Sequence, residues 1–338
     1  MITIKDLSSK LGVSPSTVSR AVNGNSGVGD EMRNKICRMA EELGYIPNLS
    51  ARQMQRKSRF LIGLIIPDIR NHFYNAIASV LAARCRDLGF QLLLSNADDD
   101  PAMEESQVLA MVEARVAGIV ITASPRPTER TARLLKMVPS LQLLRRIPGL
   151  TPAAAVMDDT SGIRAATEHL LGLGHTAIGY VGTSDGISVG ASRARGYFEA
   201  LAAAGMTPQP AWTALEPPRA RNGLVAVRRM FTDARPPTAL ILGSTEITVG
   251  GLRALKELGI AVPDEVSVIG YGDPRWYKLL TPALTCVRLP VAALAETAVT
   301  GVFRLIQREQ DGIEAGENFV AWSDANLLLR RSTSAPKL

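Results

Sequence analysis

A chain of 338 residues, 46% hydrophobic and 5% aromatic, is long enough for two to three domains with sizeable cores, at roughly 100–200 residues each. No stretch approaches the ~20 uninterrupted apolar residues of a membrane span, and no secretory signal fits the N-terminus. The three cysteines (Cys37, Cys85, Cys286) and three histidines (His72, His169, His175) lie outside any metal-ligand spacing, so neither a metal nor a disulfide framework is expected and the compartment is read as a reducing cytoplasm. The formal net charge is +6, and residues 1–59 hold ten Lys/Arg against five Asp/Glu; basic charge gathered on so short a segment is the footprint of phosphate binding.

The first elements are three short helices. Ile4, Leu7 and Leu11 fall on one face of a helix that Gly12 ends. Ser14 can cap the next helix, and Pro15 stands at its first position, where the missing N–H costs nothing. Val18 and Val22 point that helix inward, leaving Ser16, Thr17, Ser19 and Arg20 on the other face. A small helix that spends one face on short hydroxyls and an arginine is suited to a DNA major groove, Arg20 to a guanine edge. Asp30 to Leu43 is the third helix, with Ile36, Met39, Ala40 and Leu43 inward and Gly44 at its end. A connector with Pro47 and the basic run Arg56-Lys57-Ser58-Arg59 follows.

From Phe60 the pattern becomes alternating strand and helix. Strands are predicted to end near Pro67, Asn96, Thr122 and Leu144, and later near Val181, Leu242 and Gly270. Helices are predicted over residues 76–88, 103–115, 159–172, 193–204, 224–231 and 247–258. Repeated βα units of this length form doubly wound parallel sheets, and residues 61–338 suit two such sheets better than one. Ligands in such sheets sit beyond the carboxyl ends of the strands, so two facing sheets would share one cleft. Residues 327–338 read as a last strand and a loose tail.

The headpiece resembles that of the lactose/galactose-repressor family of bacterial transcription regulators. The resemblance is carried by Thr3-Ile4-Lys5-Asp6-Leu7, Val13-Ser14, Thr17-Val18-Ser19-Arg20, Val22-Asn23, Gly44-Tyr45 with Pro47-Asn48, and Ala51-Arg52. The larger part is similar to that family's periplasmic-binding-protein-like regulatory domain, through Ile66-Pro67-Asp68, Asn71, Phe73-Tyr74, Asp158-Asp159, Leu173-Gly174-His175, Arg193 with Gly196-Tyr197, and Val262 to Tyr271. The resemblance implies a headpiece (1–46), a hinge helix and linker (47–59), and an effector-binding and dimerisation domain (60–338) of two interleaved subdomains, roughly 60–160 plus 290–325, and 161–289. It implies DNA contacts by Thr3, Ser14, Pro15, Ser16, Thr17, Ser19, Arg20, Asn23, Asn48, Ala51, Arg52 and Met54. Met54 stands where the family has a leucine wedge, at the end of a seven-residue hinge segment too short to be a stable helix alone.

Effector contacts are expected from Asn71, Phe73, Tyr74, Asp158, Arg193, Ser244, Asp273 and Trp276. A guanidinium such as Arg193 forks hydrogen bonds to hydroxyls or a carboxylate, and an aromatic face stacks on a sugar ring. Several hydroxyl-reading positions depart from the family: Gly272 stands for an acid, Ser244-Thr245 for Asn-Asp, and Leu144-Arg145 for Asp-Arg. The effector is therefore expected to be a sugar, sugar acid or similar polyol read in an uncommon way. An enzyme is the rival, but no nucleophile, metal or cofactor constellation supports it. Gly172-Leu173-Gly174-His175-Thr176-Ala177 has dinucleotide-loop spacing yet lies between a helix and a strand, the wrong order for a pyrophosphate on a helix N-terminus. The reading is a cytoplasmic repressor that binds a palindromic operator as a homodimer, without cofactor.

Overall fold

The computed structural model describes residues 2–22, 26–45, 60–183, 188–313 and 319–337. The chain divides into two compact units, Met1–Arg59 and Phe60–Leu338. Asn23, Asn48, Ala51, Arg52 and Met54, and with them the expected hinge helix, lie outside the described residues.

In the first unit α1 (Ile4–Leu11) opens on a capping box. Asp6 N–H donates to the Thr3 hydroxyl, and Thr3 N–H donates to the Asp6 carboxylate at 2.8 Å. Gly12 closes the helix in the left-handed region, φ 65°. The turn into α2 (Pro15–Val22) is tied by the Ser8 hydroxyl donating to Val13 O at 2.6 Å. With α3 (Asp30–Glu42) these helices close a small core of Leu7, Val18, Ala21, Ile36 and Ala40.

The second unit holds two six-stranded sheets. One has the order β11-β5-β4-β3-β1-β2, formed by Leu61–Ile66 (β1), Gln91–Asn96 (β2), Gly118–Ile121 (β3), Ser140–Leu144 (β4), Ala153–Asp158 (β5) and Val320–Asp324 (β11), and every pairing is parallel. The other has the order β12-β10-β9-β8-β6-β7, formed by Ile178–Thr183 (β6), Thr213–Glu216 (β7), Ala239–Leu242 (β8), Ser267–Tyr271 (β9), Thr285–Arg288 (β10) and Asn326–Leu328 (β12). Only β12 runs antiparallel, against β10. The chain passes between the sheets three times, after β5, β10 and β11, so each subdomain is discontinuous. Helices α4 (His72–Asp87), α5 (Pro101–Glu113), α6 (Glu129–Leu135) and α11 (Val291–Gln310) cover the first sheet; α7 (Asp159–Gly172), α8 (Ser188–Ala203), α9 (Ala220–Thr232) and α10 (Thr245–Leu258) cover the second. A continuous apolar cluster runs from Ile62, Leu64 and Leu141 through Ile163 and Ala166 to Tyr180, Ile241 and Ile269, binding the two layers into one unit.

The periodicity missed β5, β7, β10 and β11. β5 reads Ala-Ala-Ala-Val-Met-Asp, alanine-rich and poor in β-branched residues, yet its first five residues are buried between neighbouring strands, where burial outweighs propensity. The tail is not loose. Beyond β12, Ser332 is fully buried: its hydroxyl donates to Val268 O (2.6 Å), its carbonyl accepts from Val268 N–H (2.8 Å), and its oxygen accepts from Thr285 N–H. His175 Nε2 donates to Ser334 O at 2.8 Å while Nδ1 accepts from the Thr238 hydroxyl at 2.8 Å. His175 therefore secures the last segment, and Gly174 beside it ends a helix that leads into a strand.

Candidate functional site

On α2 the Ser14 oxygen accepts from Thr17 N–H at 3.2 Å and shares hydrogen bonds with the Ser16 and Thr17 hydroxyls, both 2.8 Å. Val18 and Ala21 turn into the core, which leaves Ser14, Pro15, Ser16 and Arg20 exposed and Thr17 and Ser19 half-buried. Thr3 is exposed, with its hydroxyl held by Asp6. A rigid, capped helix thus presents hydroxyls and one guanidinium on a single face, the donor and acceptor types that read base edges and phosphates.

The second unit has a cleft between the carboxyl ends of its two sheets. Its outer part, about 1320 Å³, is polar and includes Asp68, Arg70, Asp98, Arg126, Arg219 and Glu246. Its inner chamber is small, about 60 Å³, and is walled by Asn71, Phe73, Tyr74, Leu144 and Arg145 from the first subdomain and by Thr183, Val189, Arg193, Ser244, Thr245 and Tyr271 from the second. Asn71, Tyr74, Arg145 and Pro218 border both spaces.

Two buried arginines face each other's subdomain across this chamber. Arg193, 6% exposed, donates through Nε to Asp159 (3.0 Å) and through Nη1 to Gly243 O (3.1 Å), and its guanidinium lies 3.9 Å from the Tyr271 ring centroid. Asp159 also accepts from the Tyr271 hydroxyl. Arg145, 4% exposed, is clamped by both oxygens of Asp99 and donates to Ala123 O at 2.9 Å. Its Nε and the Thr183 hydroxyl are buried with no partner among the described residues. The backbone around Arg145 is strained: Leu144, Asp98 and Asp99 are non-glycine residues at φ 66°, 51° and 56°. Such outliers gather at sites where the surroundings over-determine them for function. Burial pushes the Tyr74 phenol up, and burial followed by the Asp68 charge raises the Glu246 carboxyl. Behind the wall, Glu104 is fully buried and accepts from Ser124 N–H and hydroxyl (2.5 and 2.9 Å), fixing the turn that carries Arg126; burial raises its carboxyl too.

Of the predicted effector residues, Asn71, Phe73, Tyr74, Arg193 and Ser244 come together here. Phe73 and Tyr74 are both buried and both wall the chamber, packed edge to face at 5.4 Å. Asn71 and Ser244 also cap α4 and α10. The other three, Asp158, Asp273 and Trp276, lie outside this lining. Asp273 does not converge with Arg193: it is ion-paired with Arg330 of the last segment at 2.6 Å. Trp276 packs edge to face on Tyr277 against the second sheet's core. Asp158 caps α7 through Ser161 and does not wall the cleft. Arg145, Thr183 and Tyr271 wall the chamber and Asp159 braces Arg193, although none of the four was among the expected effector residues. Arg145 directly follows the end of β4, at a position the sequence marked only as a departure from the family.

Residues 3–48 match the sequence pattern of bacterial regulatory proteins of the lacI family, and residues 167–333 match a periplasmic binding protein-like domain. The chain is 31% identical to the HTH-type transcriptional regulator GalR of Salmonella typhimurium (strain LT2) over 299 residues, 88% of this chain and 87% of the relative, and 31% identical over the same span to GalR of Escherichia coli K12. The chain belongs to the lacI family. The lac repressor dimer bound to operator and the anti-inducer ONPF has a similar structure, with TM-score 0.82 and 26% identity over 99% of both chains. As a lacI-family member the protein is a DNA-binding transcription regulator controlled by a small-molecule effector, and not an enzyme. No described helix is long and apolar enough to cross a membrane.

Proposed function

We propose that this regulator represses transcription by binding a palindromic operator as a homodimer, and that a carbohydrate-like metabolite held in the cleft sets its DNA affinity. The observation that carries the reading is the meeting of both sheets' carboxyl ends on a chamber walled by buried polar groups from each subdomain. A ligand there touches both halves at once and so binds one relative disposition of them better than another, which is the condition for shifting an equilibrium. Exposed Leu88 and Leu93 at the β2 edge of the first sheet, and exposed Val225 and Val249 on α9 and α10, supply apolar surface for a second copy. On the DNA side Arg20, Ser16 and Pro15 are assigned to base edges, and Met54 to a wedge at the operator centre.

The test is selection of operator sequences from random duplex DNA by the full chain, followed by titration of a panel of sugars, sugar acids and polyols. Palindromic sites and a ligand that changes operator affinity roughly 5- to 150-fold are expected. Asymmetric sites, or operator affinity unmoved by any ligand that calorimetry shows to bind, would overturn the reading.

A further inference from the structure

We infer that the effector carries a terminal anionic group, a carboxylate or phosphate ester, which enters the inner chamber and is read by Arg145 and Thr183 while its hydroxylated body fills the outer cleft. The inference rests on the proposed cleft site and deepens it. Volume is the first argument. The inner chamber, about 60 Å³, holds a few water-sized groups, since one water needs about 10–15 Å³ measured in this way. A carboxylate fits that space; a sugar ring does not, and the 1320 Å³ outer part has room for the rest of the molecule.

Hydrogen-bond accounting is the second. Arg145 is 4% and Thr183 2% exposed, and both Arg145 Nε and Thr183 Oγ1 lack a partner among the described residues. A buried polar atom left unpaired is costly and is kept where something else satisfies it. This N–H and this hydroxyl belong to residues that wall one small chamber from opposite subdomains, and together they suit a group with several acceptor lone pairs. A hydroxyl offers fewer acceptors and brings a proton of its own that needs one; an anion offers only acceptors.

Charge is the third. Among the described residues that wall the inner chamber the ionised groups are Arg145 and Arg193, and the carboxylates balancing them, Asp99 and Asp159, do not border it. The outer cleft is mixed instead, with the carboxylates Asp68, Asp98, Asp99 and Glu246 beside Arg70, Arg126 and Arg219. An inner chamber whose ionised walls are cationic, opening on an outer cleft of mixed charge, suits a molecule that is anionic at one end and hydroxylated at the other.

The test is calorimetry of the full chain with three matched sets: C4–C6 aldonates and uronates, the corresponding aldoses and alditols, and their terminal phosphate esters. Operator binding is measured alongside. At least one anionic compound should bind ten times or more tightly than its neutral counterpart, and the set it comes from distinguishes carboxylate from phosphate. Thr183→Val removes one donor with little change of shape and should weaken that compound about tenfold without weakening neutral compounds. Arg145→Gln should abolish the preference for charge; if it fails to fold, Thr183→Val carries the test. Tighter binding of neutral than anionic compounds, no anion binding at millimolar concentration, or an unaffected Thr183→Val protein would each overturn the inference. A neutral compound that binds and alters operator affinity would overturn it while leaving the cleft as the effector site.

Discussion

At the residue scale, Arg20 and Arg193 show how differently two arginines act. Arg20 is exposed on the capped α2 helix, beside short hydroxyls, where a bidentate bond to a guanine edge is within its means. Arg20→Ala should cost specific operator binding about 1–3 kcal/mol and leave binding to random DNA nearly intact, as competition titrations would show; equal losses on both would reduce Arg20 to a phosphate contact. Arg193 is buried, and its removal would strand the Asp159 carboxylate inside the second subdomain. Arg193→Ala should therefore lower stability by about 3–5 kcal/mol in denaturant titrations, with much of the loss recovered when Asp159→Asn is added. A single variant as stable as the parent would mean that this pair contributes nothing to the fold. His175 and His169 give a pH signature. Burial holds both imidazoles below their usual value of 6.5, so the unfolded chain takes up their protons first. Their contribution to stability is complete above pH 6.5 and is lost as pH falls below it. Melting temperatures should be level from pH 7 to 8 and fall toward pH 5. His175→Gln should make that fall shallower; an identical acid limb would assign it to other groups.

At the element scale, the helices that could be read were those with endings written into them. Asp159–Gly172 was predicted to the residue, and 245–258 within two, because apolar spacing and terminal glycines mark them. The starts of α4 and α8 were placed four or five residues late: Asn71 is an unremarkable cap in sequence, and α8 begins beside a glycine-rich loop. The small residues of α9 and α10 mark a tight crossing. A Cβ on Gly223 would meet Ile247 O, and one on Gly250 would meet Ala220 O, both backbone atoms that cannot turn aside. Gly250→Ala should destabilise by about 1–3 kcal/mol despite alanine's better helix propensity, and a stabilised variant in thermal melts would show that the helices separate freely. Within the site, patterning placed the strand ends, while Asn71, Phe73, Tyr74, Arg193 and Ser244 were expected from the family resemblance and wall the same chamber. It could not place Asp273, because its partner Arg330 lies 57 residues away on a tail with no periodicity. Nor could it show that Arg145 is buried, since that depends on Asp99 reaching across from another loop.

For the whole molecule, the proposed function couples two readings by physically different surfaces: bases by an exposed helix face, and a small molecule by a cleft between subdomains. Operator binding should weaken steeply with salt, because the first 59 residues carry ten basic side chains and each phosphate neutralised contributes about 0.9 to the slope of log K against log salt. Effector binding, made against the buried Arg145 and Arg193, should be less sensitive. The two are joined by reciprocity: whatever factor the effector imposes on operator affinity, the operator must impose on effector affinity. The decisive measurement is therefore calorimetric titration of the cleft ligand into the full chain, free and saturated with its selected operator. The account predicts affinities that differ about 5- to 150-fold, matched by the same factor in operator affinity with and without ligand. Equal ligand affinities in the two states would contradict it, for the cleft would then bind a small molecule without regulating DNA.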